Sequence, residues 1–283
     1  MAPEQAGLRM DRAAMLALEL PSRNRARKEL KAGRLLVDGA IVETSRVAAA
    51  GQELTLLAPP EPPPVLARPL DVVWADEHLA AVWKPPGLVT SGAGRDTFAA
   101  AVPFNLPPSD APDALPWARP VHRLDARTAG LVLCARSLRA QVELGRMFAE
   151  RRVHKRYRAL LGGRLEGSGE VVEPIDGRPA HTRWRVVEVT PSLVTDWITA
   201  VDLEPVTGRT HQLRRHCAGL GVPILGDLRY GSRLRGMGLF LAAVGIELAH
   251  PITGEPLRIE APPPDKFSTF PAREQRRWER WRS

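Results

Sequence analysis

The sequence predicts an α+β protein in two parts: a small α/β head, and a larger body built on a mixed, largely antiparallel sheet flanked by helices. Three observations carry that expectation. A Pro-rich segment, APPEPPPVLARP at 58–69, sustains neither a helix nor a central strand and reads as a stiff linker. Before it, two helical patterns precede short strand-like runs. After it, many short β-rich runs follow one another with few helices between them, whereas a parallel βαβ array would place a helix at each crossing.

The head spans 8–57. MDRAAMLALEL has helical apolar spacing, and SRNRARKELKAG opens on Ser22, a good N-cap, and closes at Gly33. RLLVDG and the stretch up to QELTLL read as short strands, with Asp38-Gly39 a strong hairpin turn. The body spans 70–265. LDVVWAD and LAAVWK form a hairpin across Asp76-Glu77-His78, and GLVLCA is a buried strand. A helix follows from Ser137, with Leu138, Val142, Met147 and Phe148 turned inward. HKRYRALL, RWRVVEV and VTDWITAVDLEP read as strands, and THQLRRHCAGLG as a helix stopped by glycines. Residues 266–283 form a basic tail, and its PAREQRRWERWRS carries five Arg and two Trp on a short terminal helix with a solvated face.

Forty Lys plus Arg against 32 Asp plus Glu give the 283 residues a net charge of +8. That balance favours a polyanionic partner. Two cysteines, Cys134 and Cys217, are too few for a disulfide framework, and the spacing of His211, His216 and Cys217 is not a dependable metal pattern. MAPEQAGLRMDR contains no signal-peptide core, and the apolar stretch 237–246 is about half a membrane span. A cytoplasmic protein without a membrane partner is expected.

Several enzyme templates fail. TSGAGRD at 90–96 lacks the ending of a phosphate loop, and no G-x-S-x-G or H-E-x-x-H occurs. Polar residues concentrate at His122–Asp125 with Arg127-Thr128, at Lys155–Tyr157, and at Thr207–His216. By itself Asp125 could simply turn the chain before a strand. It nonetheless sits between Arg123 and Arg127, and GRTHQLRRH supplies Arg209, Arg214 and Arg215. A guanidinium within reach would keep the carboxylate ionised and oriented, fit to act as nucleophile or base without a metal. Tyr157 alternates with Arg156 and Arg158 and should face inward, as a core residue or a platform for a base.

WKPPGLVTS, PVHRLDARTAGLVLCARS, HKRYRALLGG and GRTHQLRRHCAGLGVPILGDLRYG, in this order, resemble the RluA-like branch of the pseudouridine synthases. ELAHPITGEPLRIEAPPP resembles that branch's closing strands, so the likeness spans about 70–264. Ser22-Arg23, Ala26, Leu30, Gly33, Leu36-Val37 and Asp38-Gly39 resemble the small RNA-binding domain first named from ribosomal protein S four, the alpha-L domain.

The resemblance implies the pseudouridine synthase fold and the isomerisation of uridine to pseudouridine in structured RNA, with ribosomal RNA the first expectation and transfer RNA the second. No cofactor and no metal are implied, and no obligate protein partner, so a monomer is expected. Asp125 matches the family's essential carboxylate, Tyr157 the Tyr that packs on the target base, and Arg214 the basic partner of the Asp, with Arg209 second for that role. Arg123 matches an Arg able to fill the space of a flipped nucleotide, Leu124 walls the pocket, and Thr210, His211 and Gln212 accompany them. On the head, Arg23, Arg27, Lys28 and Lys31 would lie on RNA backbone.

Departures from the pattern are Ala129 for the usual Ser, Thr90-Ser91 for His-Pro, and Ala242-Ala243 for His-Ala. The segment 92–118 matches poorly. The competing reading is a non-catalytic RNA-binding or ribosome-assembly factor, which a degraded site would have favoured.

Overall fold

The computed structural model describes residues 1–31, 33–57, 65–92, 94 and 96–283. It divides into two compact units, Met1–Glu61 and Pro62–Ser283. Of the Pro-rich segment 58–69, residues 58–64 lie outside the described residues.

In the first unit, helices α1 (Met10–Ala17) and α2 (Arg23–Lys31) pack on a three-stranded antiparallel sheet of β1 (Leu35–Val37), β2 (Ala40–Ile41) and β3 (Leu54–Leu56). The Ser22 hydroxyl accepts the amide of Arg25, as its N-cap position requires. Asp38 (φ 51°) and Gly39 (φ 74°) both adopt the left-handed conformation that a two-residue hairpin needs. Asp38 pays no penalty in unmet polarity, because its carboxylate accepts from the Glu53 amide at 2.9 Å and the Gln52 side chain at 3.1 Å.

The second unit holds one large sheet. Eight strands run in the order β4 (Val72–Ala75), β5 (Leu79–Lys84), β7 (Ala129–Ser137), β12 (Leu241–Ala249), β8 (His154–Gly162), β11 (Asp196–Pro205), β10 (Thr182–Ser192) and β9 (Ser168–Val171). To these β6 (Ala114–Pro120) adds against β7, and β13 (Pro256–Glu260) against β12. Among the named strands, every pairing is antiparallel except β7 with β12, so the mixed, largely antiparallel sheet is as expected. The poorly matching segment 92–118 is ordered as well: it contains α3 (Phe98–Asn105), capped by Thr97, and most of β6.

β7 explains why GLVLCA is a continuous apolar run. Val132 and Cys134 enter one core, while Leu131 and Leu133 enter a second on the opposite face of the sheet. Helix α4 (Leu138–Ala149), capped by Ser137, covers the second core. Its inward stripe differs from the expected one. Ala140, Leu144 and Met147 are buried, Leu138 and Phe148 only partly, and Val142 is 62% exposed. The small Ala140 side chain lets that face approach the sheet, which turns Val142 outward.

The parallel β7–β12 contact is short, with Ala242 opposite Ala129 and Ala243 opposite Gly130. At Gly130 (φ 127°) an added Cβ would stand 2.3 Å from the Ala243 carbonyl oxygen, so only glycine lets the two strands meet there. The alanines noted as departures, Ala129, Ala242 and Ala243, are all buried at this contact. The basic segment from 266 is not a loose tail. It forms α6 (Lys266–Arg282), whose Phe267, Phe270 and Pro271 are buried and whose buried Glu274 accepts from the Ser192 hydroxyl at 3.0 Å.

Candidate active site

Asp125 lies on the loop between β6 and β7, and that loop is pinned from several sides. The Thr90 hydroxyl donates to the Leu124 carbonyl at 2.9 Å and accepts the Leu124 amide at 3.1 Å. Thr90, one of the departures, thus holds the residue just ahead of Asp125. On the other side, the Ala126 carbonyl accepts from the Gly87 amide at 2.7 Å and from the Lys84 ammonium at 3.2 Å. Thr128 closes a turn by donating its amide to the Asp125 carbonyl. Arg127 ties the loop to the Gly226 carbonyl at 2.8 Å.

Lys84 is fully buried and also donates to the carbonyls of Leu88 and Pro85. Burial lowers its pKa to about 8 against the opposing pull of the Asp125 charge. His122 begins the same loop, and its Nε2 accepts the Leu133 amide at 3.0 Å. Loss of solvation, helped by the Lys155 charge, lowers its pKa to about 3, so it is a neutral structural acceptor.

Asp125 opens into a pocket together with Arg123, Leu124, Lys155, Tyr157, Arg214 and the segment 207–213. Its carboxylate is a quarter exposed and stands 3.4 Å from an Arg214 Nη. Arg214 is nearly fully buried and held by two bonds to the buried Asp227, at 2.6 and 2.9 Å. Burial opposes the guanidinium charge, but the bonds and charge of Asp227, and then Asp125, raise its pKa overall. Asp227 therefore aims Arg214 so that its remaining nitrogen faces Asp125.

His211 takes the left-handed conformation (φ 55°) ahead of α5 (Gln212–Gly219). Its Nε2 lies 3.8 Å from Asp125, and its Nδ1 shares a 2.9 Å hydrogen bond with the Tyr230 hydroxyl. The Tyr230 ring lies under the Arg214 guanidinium at 5.0 Å. Loss of solvation lowers the His211 pKa, against the pull of Asp125.

Tyr157 sits on β8 between Ala243 of β12 and Leu203 of β11, with its ring buried at the pocket floor. Burial first, and the Asp125 charge second, raise its pKa, so the phenol stays protonated. Arg123 is exposed beside the pocket and Leu124 is buried in its wall.

The site residues read from sequence thus divide. Asp125, Tyr157, Arg214, Arg123, Leu124 and His211 converge on one pocket. Arg209 also lines it, but its guanidinium donates to the Pro179 carbonyl at 3.0 Å and makes no ion pair with Asp125. Thr210 is exposed. Gln212 is buried, and its amide group is engaged by Thr207, the Arg209 amide, the His181 carbonyl and Thr182. Its part is to shape the 207–211 loop.

Arg23, Arg27, Lys28 and Lys31 belong to the other unit. There the Arg23 guanidinium pairs with the buried Asp11 at 3.0 Å, while Arg25 and Arg34 pair with the buried Glu29 at 2.7 and 2.6 Å. Sequence reasoning missed the supporting residues Lys84, Asp227 and Tyr230. All three lie inside quoted motifs, yet only the fold shows what each one holds.

A carboxylate held against an aimed guanidinium, beside a buried phenol ring in a basic pocket, is an arrangement able to carry acid–base or nucleophilic chemistry. The family model described as RNA pseudouridylate synthase matches residues 78–219, half of the chain, so the chain belongs to that family of isomerases. Ribosomal large subunit pseudouridine synthase D of Xanthomonas campestris pv. campestris is 35% identical over 92% of this chain and 87% of the relative. The dual-specificity RNA pseudouridine synthase RluA of Haemophilus influenzae is 35% identical over 70% of this chain and 95% of the relative. Among solved structures, human RNA pseudouridylate synthase domain containing 1 superposes with a TM-score of 0.58 at 28% identity, covering 71% of this chain and 86% of that one. Among the described residues no helix is long and apolar enough to cross a membrane.

Proposed function

We propose that the protein converts a uridine of large-subunit ribosomal RNA to pseudouridine in the cytoplasm, with Asp125 as the catalytic carboxylate. The observation that carries this reading is the Asp125–Arg214–Asp227 arrangement beside Tyr157 in one pocket. The reaction breaks the N1–C1′ bond of uridine, turns the detached uracil, and joins C5 to C1′. The C5 proton leaves and N1 gains one, so the step is an isomerisation. Asp125 attacks the sugar or removes a proton from it. Arg214 keeps the carboxylate charged, and Tyr157, its phenol held protonated by burial, packs against the base. Arg123, exposed at the rim, fills the space left by the flipped nucleotide.

Ribosomal RNA is favoured over transfer RNA because the relatives aligned across the head as well are named for the large ribosomal subunit, whereas the dual-specificity relatives align over only 69–70% of the chain. The test compares ribosomal and transfer RNA from a deletion strain and its parent by carbodiimide mapping. Loss of at least one ribosomal pseudouridine is expected. An unchanged map, together with no product from purified protein, would sink the reading.

The head acts as an S-four-like RNA-binding domain through α2. Arg27 and Lys31 are exposed and outside the ion pairs that occupy Arg23, Arg25 and Arg34. Arg27→Glu with Lys31→Glu should weaken binding to ribosomal RNA and flatten its salt dependence, because fewer counterions are released. An unaltered slope would leave α2 a merely solvated surface.

A further inference from the structure

We propose that the groove lined by Arg151, Lys155 and Arg183 is a second RNA subsite, which takes the phosphate backbone of the strand continuing from the target uridine. The inference rests on reading the Asp125 pocket as the uridine pocket. The groove joins that pocket directly, since Lys155 and Pro205 line both.

Arg151, Lys155 and Arg183 differ in how they are paired from the other cations of these strands, including Arg156, which also lines the groove. On the same strands Arg158 and Arg185 bind Asp202 at 2.8 and 3.0 Å, and Arg156 binds Glu260 at 2.6 Å. Those guanidiniums are all engaged in ion pairs within the sheet. Arg151 and Arg183 are exposed and, among the described residues, make no ion pair. Lys155 is half-buried over the Phe148 ring at 5.7 Å, with no carboxylate in ion-pair reach among the described residues.

Of the groove's two acids, Glu247 is taken by Arg258 at 3.3 Å. Glu204 lies opposite Arg183 in the strand register without reaching ion-pair distance. Three cations therefore face one unshared carboxylate, on a path that begins at the Asp125 pocket.

Arg151 adds an independent sign. It holds the left-handed conformation (φ 58°) just after the end of α4, where glycine is the unstrained residue. The chain accepts that strain and gains a cation at the mouth of the groove. Guanidiniums flanking an ammonium suit a run of phosphates, which they can grip in bidentate fashion.

The test measures binding of the full-length protein to a transcript of large-subunit ribosomal RNA over a range of salt concentrations. Arg151→Ala with Arg183→Ala should weaken binding about tenfold and make the slope of log K against log salt shallower by about 2. Glu204→Gln should shift affinity the other way, a gain that misfolding could not produce. Arg146→Ala, whose exposed guanidinium pairs with Glu150 outside the groove, serves as the control. Wild-type affinity and slope in the double variant, or no tightening in Glu204→Gln, would overturn the subsite. Protein that binds the transcript in this manner but forms no pseudouridine in it or in any cellular RNA would overturn the catalytic reading and leave the groove standing.

Discussion

Asp125→Asn is expected to reduce pseudouridine formation by at least about a thousandfold, the scale of losing a nucleophile or general base. The exchange is nearly isosteric, and the loop around it is held by bonds to backbone atoms of Leu124 and Ala126. Fold and pocket shape should therefore survive. RNA affinity should be unchanged or slightly tighter, because the lost carboxylate repels phosphate. Single-turnover assays on a ribosomal transcript, read beside a binding isotherm, separate the two effects. A variant that retained a tenth of the wild-type rate would remove Asp125 from the chemistry.

The second large effect falls on a residue that does not face Asp125. Asp227→Ala leaves the Arg214 guanidinium buried without its principal partner. Stranding a buried charge in this way costs about 3–5 kcal/mol. In a unit of this size that corresponds to a fall in melting temperature on the order of 10 °C. Activity should fall as well, because Arg214 would no longer be aimed at Asp125. A double change, Asp227→Leu with Arg214→Met, tells stability from function. It should recover most of the melting temperature, since apolar replacements of buried ion pairs are often tolerated, yet remain inactive. Recovery of activity in the double variant would deny Arg214 its role.

The candidate site was legible where chemistry and motif order coincide. Asp125, Tyr157 and Arg214 come from three separate segments, and sequence placed them together through resemblance, not through spacing. The residues that hold them were not legible. Lys84 ends the expected strand LAAVWK, and the fold buries it beneath the Asp125 loop with three carbonyls around it. Asp227 lies within PILGDLRYG, and only the return of the chain past α5 shows it gripping Arg214.

Much of the fold could be read strand by strand, because alternation and turn residues are local signals. The stripe of α4 was misread at Val142, since a 12-residue helix offers more than one apolar face and the opposing sheet selects between them. The docking of α6 was hidden for a related reason: its many arginines mask a short apolar face built from Phe267, Phe270 and Pro271.

The place of β12 in the sheet has a consequence for how the enzyme is made. It lies between β7, which follows Asp125, and β8, which carries Tyr157, and it pairs with both. Ala242 thus meets Ala129 across 113 positions of chain (242 − 129). Long-range closures of this kind are slow to form, and a chain emerging from the ribosome cannot make this one until residues beyond 241 are free. The carboxylate and the phenol that share the pocket therefore belong to separate halves of a divided sheet until β12 is in place. A chain interrupted before β12 would be inert toward RNA chemistry, which couples the onset of activity to the synthesis of that strand.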